Sequence, residues 1–366
     1  METLRVPAVA AEEAVDGPFV IADVRAPCEF AEGHVPGSVN VPFLDDAQRA
    51  RVGTVYKQAG AQAARMVAMD LVSRGLPVFL RNLALLTRGG DRLAVMCRRG
   101  GERSRNVVLL LALIGVHAAR VEGGYRAYRR WVLQGLAGWR PESPVFTLYG
   151  HTGSGKTAVL RALDAIAPEL SLRPYVVDLE GMALHRGSLL GGLNQPGQRT
   201  QKDFDALAWD TLRRVDGDYL VVEGESAKIG RIFLPGSVAA LVREGLPVLV
   251  RATAEQRAGL IMREYSPETW DAQDRARFRR SLSLIGSRLE PQRVASLRSA
   301  FEDGRFAEVV RELLVEYYDP LYQRSSVEGK HFLLDLKIGD DPSQDARALA
   351  AAITRHLEEQ ASQYLV

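Results

Sequence analysis

The stretch "LYGHTGSGKTAVL", Leu148–Leu160, decides the fold of the second half of this 366-residue chain. It contains the pattern G-x-x-x-x-G-K-T, follows an apolar run predicted as a strand, and opens a helical pattern. In this context the pattern indicates a P-loop, whose backbone N–H groups cradle a di- or triphosphate. Lys156 would reach the terminal phosphates, and the Thr157 hydroxyl is suited to bind Mg²⁺. The predicted phosphate-binding residues are Gly150, Gly153, Ser154, Gly155, Lys156 and Thr157.

An acidic residue at the end of another strand usually completes a P-loop site, and the sequence offers two. Asp178 ends "YVVD" and Glu223 ends "YLVVE", so either carboxylate is a candidate for the metal or its water shell. We favour Glu223, because "EGES" continues into a polar loop that contains glycine. His151 occupies a variable position of the motif, and we assign it no chemistry.

Strand and helix patterns alternate through the second half of the chain. The predicted strands after the P-loop are "PYVVDLE", "DYLVVEG", "LPVLVRA" and "HFLLDLK". A long helical pattern covers about residues 255–318, and the C-terminal segment is an amphipathic helix. This order predicts a P-loop NTPase-like α/β domain with a helical region.

A second functional loop lies upstream in "VMCRRGGERSRN", Val95–Asn106. Cys97 ends the apolar run "RLAVMC", which is predicted as a strand, and a strongly apolar helix follows. A loop that feeds a helix N-terminus favours an anion, and arginines add positive charge, so both features favour a thiolate. The predicted nucleophile is therefore Cys97, within an anion-binding loop of Arg98, Arg99, Gly100, Gly101 and Arg103. The alternative is a surface cysteine in an arginine-rich turn.

The first half alternates strands and helices, which predicts a small parallel α/β sheet. "AGWRPESP", Ala137–Pro144, has turn chemistry without periodicity and is the predicted linker. The predicted domains are therefore residues 1–138 and residues 139–366, with a basic helical segment around residues 255–318 in the second.

Three segments of the first half resemble the rhodanese family. "IADVRAPCEFAEGHVPGSVNVP" is similar to its first signature, "CRRGGERS" to its active-site loop, and "VEGGYRAYRRW" to its closing segment. The resemblance implies a rhodanese-like domain in which Cys97 carries a transferable chalcogen, as a persulfide or its selenium analogue. It also implies structural roles for Asp23 and Arg25, and it leaves Cys28 a bystander or a resolving thiol.

The overall composition is that of an ordinary globular protein, with 46% hydrophobic and 25% charged residues. A net charge of +2 does not by itself indicate a polyanionic partner. Two cysteines exclude a disulfide framework and a four-cysteine zinc site. The first residues carry acids rather than a basic start before an apolar core, and no apolar run is long enough for a bilayer. We expect a cytoplasmic protein without a signal peptide or a membrane span.

A rhodanese-like domain followed by a P-loop domain resembles the bacterial tRNA 2-selenouridine synthase family. Further matches are "HRGSLLGG", "NQPGQRTQKDFD", "EGESAKIGR" and "YYDPLY". The resemblance implies that the substrate is a wobble 2-thiouridine in the anticodon region of certain tRNAs. It implies that geranyl diphosphate alkylates the sulfur, and that selenophosphate then supplies selenium while geranyl thiol leaves. Selenophosphate suits the loop of Cys97, which would accept its selenium, and a diphosphate leaving group suits the P-loop.

Binding of tRNA requires a basic surface, and one segment is strongly basic. Between Arg275 and Arg298 the sequence has seven arginines and one acid, Glu290, so the local charge is seven minus one, or +6. These arginines are Arg275, Arg277, Arg279, Arg280, Arg288, Arg293 and Arg298. The candidate tRNA contacts are Arg275, Arg277, Arg279 and Arg280. The alternative is a solvated face without a partner.

Two other functions remain open from the sequence. One is an ATP-dependent tRNA sulfurtransferase, whose P-loop would activate the substrate by phosphorylation or adenylation. The other is a persulfide carrier with a nucleotide-binding domain, which would load Cys97 without turning over.

Overall fold

The chain forms two compact units with a parallel β-sheet in each. The computed structural model describes residues 5–87, 91–186, 197–224, 226–285, 289–322 and 330–363. One unit comprises Met1–Gly138 with Thr200–Asp210, and the other comprises Trp139–Arg199 with Thr211–Val366. The mixed α/β class predicted from the sequence is confirmed. Residues 187–196, Glu225 and Arg288, which fall within the family motifs and the basic segment, lie outside the described residues.

The first unit is built on five parallel strands in the order β1-β5-β4-β2-β3. Its strands are β1 Ala8–Val9, β2 Phe19–Asp23, β3 Val39–Asn40, β4 Arg92–Met96 and β5 Ala118–Val121. Its helices are α1 Ala11–Asp16, α2 Pro27–Ala31, α3 Asp46–Ser73, α4 Leu76–Leu85, α5 Glu102–Leu113 and α6 Gly124–Gly138. The long helix α3 is broken at Gly60, where φ is +83°.

The central strand β4 positions the cysteine loop. Leu93, Ala94, Val95 and Met96 have no exposed surface, because β4 pairs with β2 on one side and β5 on the other. Helix α5 contributes Val107 and Leu111 to the same core. A strand buried on both faces reads as a continuous apolar run, which is why the sequence identifies it. Cys97 follows β4 directly, at the carboxyl end of this buried strand, and its side chain is still part of the same core.

A segment from the second half of the chain belongs to the first unit. Helix α9, Gln201–Leu212, contributes Trp209, whose ring meets Trp131 edge to face at 5.6 Å. Asp205 of α9 accepts a hydrogen bond from Arg129 at 2.9 Å. The domain boundary expected from the sequence, between residues 138 and 139, assigns this segment to the second domain. The linker pattern marks only the first passage of the chain between the units, whereas the chain returns to the first unit at Thr200–Asp210.

The second unit has five parallel strands in the order β12-β11-β6-β8-β7 and an antiparallel pair, β9 with β10. Its strands are β6 Val145–Tyr149, β7 Pro174–Val177, β8 Tyr219–Glu223, β9 Lys228–Ile229, β10 Ile232–Phe233, β11 Leu246–Arg251 and β12 Leu334–Lys337. Its helices are α7 Lys156–Ile166, α8 Leu179–Ala183, α10 Gly236–Glu244, α11 Ala254–Tyr265, α12 Ala272–Ile285, α13 Pro291–Glu302, α14 Phe306–Leu313, α15 Asp319–Tyr322 and α16 Pro342–Gln363. A π-helical turn, Leu314–Tyr318, joins α14 to α15.

The order of the strands brings two predicted site segments together. Strand β6 leads into the P-loop, and its neighbour β8 ends at Glu223. Because the carboxyl ends of parallel strands meet at one edge of the sheet, ligands of open α/β sheets bind there. The fold therefore brings the P-loop and Glu223 to the same edge.

Helices α11 to α14 form a separate apolar cluster within the second unit. Its buried members include Trp270, Phe278, Leu297, Phe301 and Leu313. No helix in the described part of the chain is long and apolar enough to cross a membrane.

Candidate functional site

The cysteine loop of the first unit holds its thiol just below the surface. Cys97 follows β4 and keeps only 4% of its surface exposed. Its Sγ lies 3.3 Å from Ser104 Oγ, and the Ser104 hydroxyl donates to the carbonyl of Gly101 at 3.2 Å. The thiol thus sits at the start of α5, where unpaired backbone N–H groups favour negative charge.

The start of helix α6 packs against this loop and forms hydrogen bonds with its backbone. The backbone N–H of Tyr125 donates to the carbonyl of Cys97 at 2.9 Å, and that of Arg126 donates to Arg98 at 3.1 Å. Gly100 has φ of +61°, and a Cβ there would lie 2.5 Å from the Val121 carbonyl oxygen. A side chain is therefore excluded at this position, which explains why the loop and the closing "VEGG" segment occur together.

The predicted anion-binding arginines differ in their surroundings. Arg98 and Arg99 are exposed, and neither forms an ion pair with the residues that the structure describes. Arg103 is half-buried and lies 3.5 Å from the carboxylate of Glu29. Arg98 and Arg99 are therefore the arginines whose charge is available to an incoming anion. Gly101 caps α5 at its N-terminus without steric constraint.

Asp23 and Arg25 form a buried pair beneath the loop. The Arg25 guanidinium donates to Asp23 at 2.6 Å and to the carbonyl of Gly33 at 2.8 Å, and it covers the ring of Tyr125 at 3.8 Å. Both side chains are almost fully inaccessible, so their geometry is that of an internal support. Cys28, in contrast, is exposed.

The P-loop of the second unit has the backbone that its glycines predict. Gly153 and Gly155 have φ of +77° and +81°, in the left-handed region that favours glycine. A Cβ at Gly153 would lie 2.7 Å from the Ile261 side chain of α11, so the loop and this helix pack without space between them. The Lys156 ammonium donates to the carbonyl of Gly150 at 2.8 Å. Ser154 is buried beneath the loop.

The Thr157 hydroxyl lies between two carboxylates. Its Oγ1 is 2.9 Å from Glu223 Oε1 and 3.0 Å from Glu180 Oε2. The other oxygen of Glu223 accepts from the Glu180 backbone N–H at 3.0 Å. Burial, with the charges of Glu180 and Asp178 next, raises the pKa of Glu223 to about 8. A hydroxyl and two carboxylates supply the hard oxygen ligands that Mg²⁺ prefers. The described residues contain no group of three or more His, Cys, Asp or Glu that could hold a metal ion.

The structure gives different contacts to Glu223 and Asp178, the two acids that the sequence offered for the P-loop site. Glu223 contacts Thr157, whereas Asp178 caps helix α8 by accepting from the Gly181 N–H at 2.6 Å. Asp178 also forms an ion pair with Arg161 at 3.1 Å. Glu180 was not among the predicted acids, because it lies three residues beyond the end of β7, on α8.

Several contacts of the P-loop come from residues for which we predicted no role. Arg257 of α11 donates to the Thr152 carbonyl at 3.0 Å and pairs with Asp319 at 2.6 Å. Asp319 also lies 3.1 Å from Nδ1 of His151, and burial lowers the pKa of this histidine. The Gly150 N–H donates to the hydroxyl of Tyr322 at 2.5 Å. The signal was present in the sequence, because Asp319 and Tyr322 belong to the motif "YYDPLY".

The basic segment is less positive than its sequence indicates. Arg279 binds Glu302 through two hydrogen bonds, of 2.6 and 2.8 Å, and Arg277 lies 3.6 Å from Asp274. Arg275 lies over the ring of Phe306, with 5.5 Å between its guanidinium and the ring centre. Of the four candidate tRNA contacts, Arg280 is exposed and makes no ion pair with described residues. Acids outside the segment therefore offset part of the +6 charge.

Both halves of the chain match known families. Residues 143–334 match the family model of the tRNA 2-selenouridine synthase AAA domain, and residues 7–130 match that of the rhodanese-like domain. A tRNA 2-selenouridine synthase from Cupriavidus necator is 36% identical over 342 residues, which cover 84% of this chain and 89% of that protein. One from Bordetella petrii is 35% identical over 366 residues, which cover 89% of this chain and 94% of that protein.

These matches span both units and most of the length of each relative, and they confirm the resemblance found from the motifs. The chain belongs to the tRNA 2-selenouridine synthase family and is a tRNA-modifying enzyme.

Proposed function

We propose that this enzyme replaces the sulfur of wobble 2-thiouridine in tRNA by selenium from selenophosphate, through an S-geranyl intermediate formed from geranyl diphosphate. The observation that carries the proposal is the pairing of two different anion sites in one chain. One is a thiol in an arginine-bearing loop, and the other is a P-loop without a thiol. Such a pair of sites suits a two-step reaction with two anionic cosubstrates.

The alkylation step is assigned to the P-loop. The sulfur of 2-thiouridine attacks C1 of geranyl diphosphate, so a carbon–sulfur bond forms and the carbon–oxygen bond breaks. Pyrophosphate leaves with the electron pair, and the N3 proton of the base passes to solvent. Lys156 and the loop N–H groups stabilise the charge that develops on the departing pyrophosphate.

The oxygen ligands around Thr157 fit a magnesium ion. Thr157 and Glu223, with Glu180 beside them, would hold it, and Mg²⁺ when bound would neutralise charge on the diphosphate. A cation there would also favour the ionised form of Glu223, whose charge is otherwise opposed by burial.

The selenation step is assigned to the cysteine loop. Arg98 and Arg99 attract selenophosphate, a small anion. Selenium is already at the selenide level in this molecule, so its storage on Cys97 as a perselenide would need an oxidant. A balanced route has the Cys97 thiolate attack phosphorus, which forms a sulfur–phosphorus bond and releases selenide. Selenide then attacks C2 of the base, geranylthiolate leaves, and water frees the phosphate from Cys97.

A second candidate is an ATP-dependent tRNA sulfurtransferase. It is favoured by the contact between Thr157 and a buried acid, because the same arrangement holds Mg²⁺ beside a nucleotide in P-loop NTPases. The two candidates differ in whether the P-loop ligand is geranyl diphosphate or ATP.

The deciding experiment incubates 2-thiouridine tRNA with geranyl diphosphate, selenophosphate and ATP, each alone and in combination, and analyses the nucleosides by mass spectrometry. The proposal expects S-geranyl-2-thiouridine from geranyl diphosphate alone, and 2-selenouridine when selenophosphate is added, both without ATP. A product that forms only with ATP would support the second candidate instead.

A further inference from the structure

An apolar pocket in the helical cluster adjoins the P-loop. Its walls come from helices α11, α12 and α14, the π-helical turn and the segment between α11 and α12. The side chains that define its interior include Met262, Trp270, Phe278, Phe306, Val310 and Leu313. Apolar rings and branched chains surround the space, and the indole N–H of Trp270 already donates to the Tyr265 carbonyl at 2.8 Å. The pocket interior therefore offers an apolar surface to a ligand.

The pocket and the phosphate-binding cleft share part of their walls. Thr152, Ile261, Tyr265 and Tyr318 line both the pocket and the larger cleft that contains Gly155, Lys156 and Thr157. One wall of this combined site is therefore charged and rich in N–H groups, and the other is apolar. A ligand with a phosphate head and a hydrocarbon tail matches this division.

We propose that the apolar pocket holds the hydrocarbon chain of geranyl diphosphate while the P-loop holds its diphosphate. This inference rests on the proposed function and names the site of its prenyl substrate. Its carbon C1, where the diphosphate departs, would lie at the junction, beside the rings of Tyr265 and Tyr318. Aromatic faces attract positive charge; the Arg186 guanidinium already lies over the Tyr265 ring, 4.5 Å from its centre, and an allylic carbon that becomes cationic as pyrophosphate leaves would be attracted in the same way.

The pocket suits a prenyl chain better than a nucleotide base. A buried base needs hydrogen-bond partners for its ring nitrogens and amino group, because an unmatched polar group costs free energy when it is buried. A hydrocarbon chain needs no hydrogen-bond partners. The free interior is small, with about 40 Å³ open to the centres of water molecules.

The first test measures binding by calorimetry with geranyl diphosphate and with inorganic pyrophosphate, and therefore does not depend on turnover. Burial of the ten-carbon chain is expected to tighten binding by at least about tenfold over pyrophosphate. Val310→Trp fills the pocket from its partly exposed side and is expected to remove this difference while leaving pyrophosphate binding unchanged. Val315→Trp is the matched control, since Val315 is 53% exposed and does not line the pocket.

The second test measures chain-length preference in alkylation of 2-thiouridine tRNA. Met262→Ala enlarges the pocket and is expected to raise the rate with farnesyl diphosphate relative to geranyl diphosphate by at least about tenfold. This variant keeps the inference falsifiable if Val310→Trp does not fold.

The outcomes distinguish a wrong pocket assignment from a wrong proposed reaction. Equal affinities for geranyl diphosphate and pyrophosphate in the wild type, or Val310→Trp behaving as Val315→Trp, would overturn the pocket assignment. Normal geranylation in those cases would leave the proposed function intact. Tight, pocket-dependent binding of geranyl diphosphate without any S-geranyl product would instead count against the proposed reaction and retain the pocket.

Discussion

Glu223 is the residue whose environment makes the clearest prediction about pH. Burial raises its pKa from 4.5 to about 8, so the folded state holds a proton that the unfolded state has lost between these values. The free energy of unfolding must therefore fall as pH rises from about 4.5 to about 8, by up to about 1.4 kcal/mol per pH unit. Glu223→Gln removes this loss. We expect the melting temperature of the variant to exceed that of the wild type by a margin that grows between pH 5 and pH 8, measured with EDTA present.

Glu169→Gln provides the control for this comparison. Glu169 is exposed, pairs with Arg347 and is not among the charges that act on Glu223, so its replacement should give a margin that does not grow in the same way. Parallel curves for Glu223→Gln and the wild type would mean that Glu223 is ionised in the folded protein, and that a cation or a solvent molecule compensates its charge.

At the residue scale, the sequence could predict those site residues that occur at fixed spacing. Lys156 and Thr157 follow from the P-loop pattern, and Cys97 follows from its loop. Glu180 and Asp319 could not be placed in this way, because their contacts arise from packing between distant segments. Asp319 contacts the P-loop residue His151 directly and the Thr152 carbonyl through Arg257, and the spacing of the motif "YYDPLY" that contains Asp319 does not encode these contacts.

In the loop between β4 and α5, we predict that alanine destabilises the protein more at Gly100 than at the adjacent Gly101. Gly100→Ala puts a side chain at φ of +61°, where backbone atoms of Val121, Gly123 and Gly124 lie 2.5 to 2.8 Å from the new Cβ. Gly101→Ala meets nothing within 4 Å. We expect Gly100→Ala to lower the free energy of unfolding by on the order of 1–3 kcal/mol, and Gly101→Ala to lower it much less. Urea unfolding of both variants measures the difference, and equal losses would show that the loop is not held against α6.

Helix α12 predicts which arginine meets tRNA. Arg280 is exposed and makes no ion pair with described residues, whereas two hydrogen bonds to Glu302 already compensate Arg279. Arg280→Gln should therefore reduce the slope of log affinity against log salt by roughly 0.7–0.9, the value of one phosphate contact. Arg279→Gln should change this slope less, and it serves as the matched control.

The measurement is the binding of 2-thiouridine tRNA between 50 and 200 mM salt, a range in which phosphate contacts change affinity steeply. An unchanged slope for Arg280→Gln, with normal folding, would assign this face of α12 to solvent. A larger change for Arg279→Gln would mean that tRNA displaces Glu302.

The elements with the strongest periodicity were also those that the sequence could identify. Strand β4 and helix α5 are apolar over most of their length, and the alternation around the P-loop gives the parallel sheet. The two-residue strands β1 and β3 carry too little pattern to detect. Helix α9 packs in the first unit through contacts such as those of Trp209 with Trp131 and of Asp205 with Arg129, and these contacts depend on the tertiary structure.

The whole molecule places its two candidate reaction sites in different compact units. The cysteine loop lies in the unit of Met1–Gly138, and the P-loop lies in the unit that begins at Trp139. Each unit has its own sheet and its own buried core. A substitution confined to one site should therefore leave the other site folded, so the two chemical steps should be separable by mutation.

This separation leads to a prediction about a pair of variants. In the proposed reaction Lys156 stabilises the departing pyrophosphate, so Lys156→Ala removes a contact of a kind whose loss commonly costs on the order of 10²–10³ in rate. The step that starts from S-geranyl tRNA releases no pyrophosphate. Lys156→Ala should therefore suppress geranylation far more than selenation of S-geranyl tRNA. Cys97→Ser should abolish selenation and leave geranylation intact, while Cys28→Ser, at an exposed site, should affect neither.

Each variant is supplied with 2-thiouridine tRNA plus geranyl diphosphate, and separately with S-geranyl tRNA plus selenophosphate. Opposite losses in the two assays require that the steps use separate residues, because a general loss of folding would reduce both. If Cys97→Ser selenates at the wild-type rate, the cysteine loop is not the selenation site. If Lys156→Ala geranylates normally but loses an ATP-dependent product, the P-loop serves a nucleotide. Equal losses in both assays for a variant that is still folded would mean that the two units act on the tRNA only together.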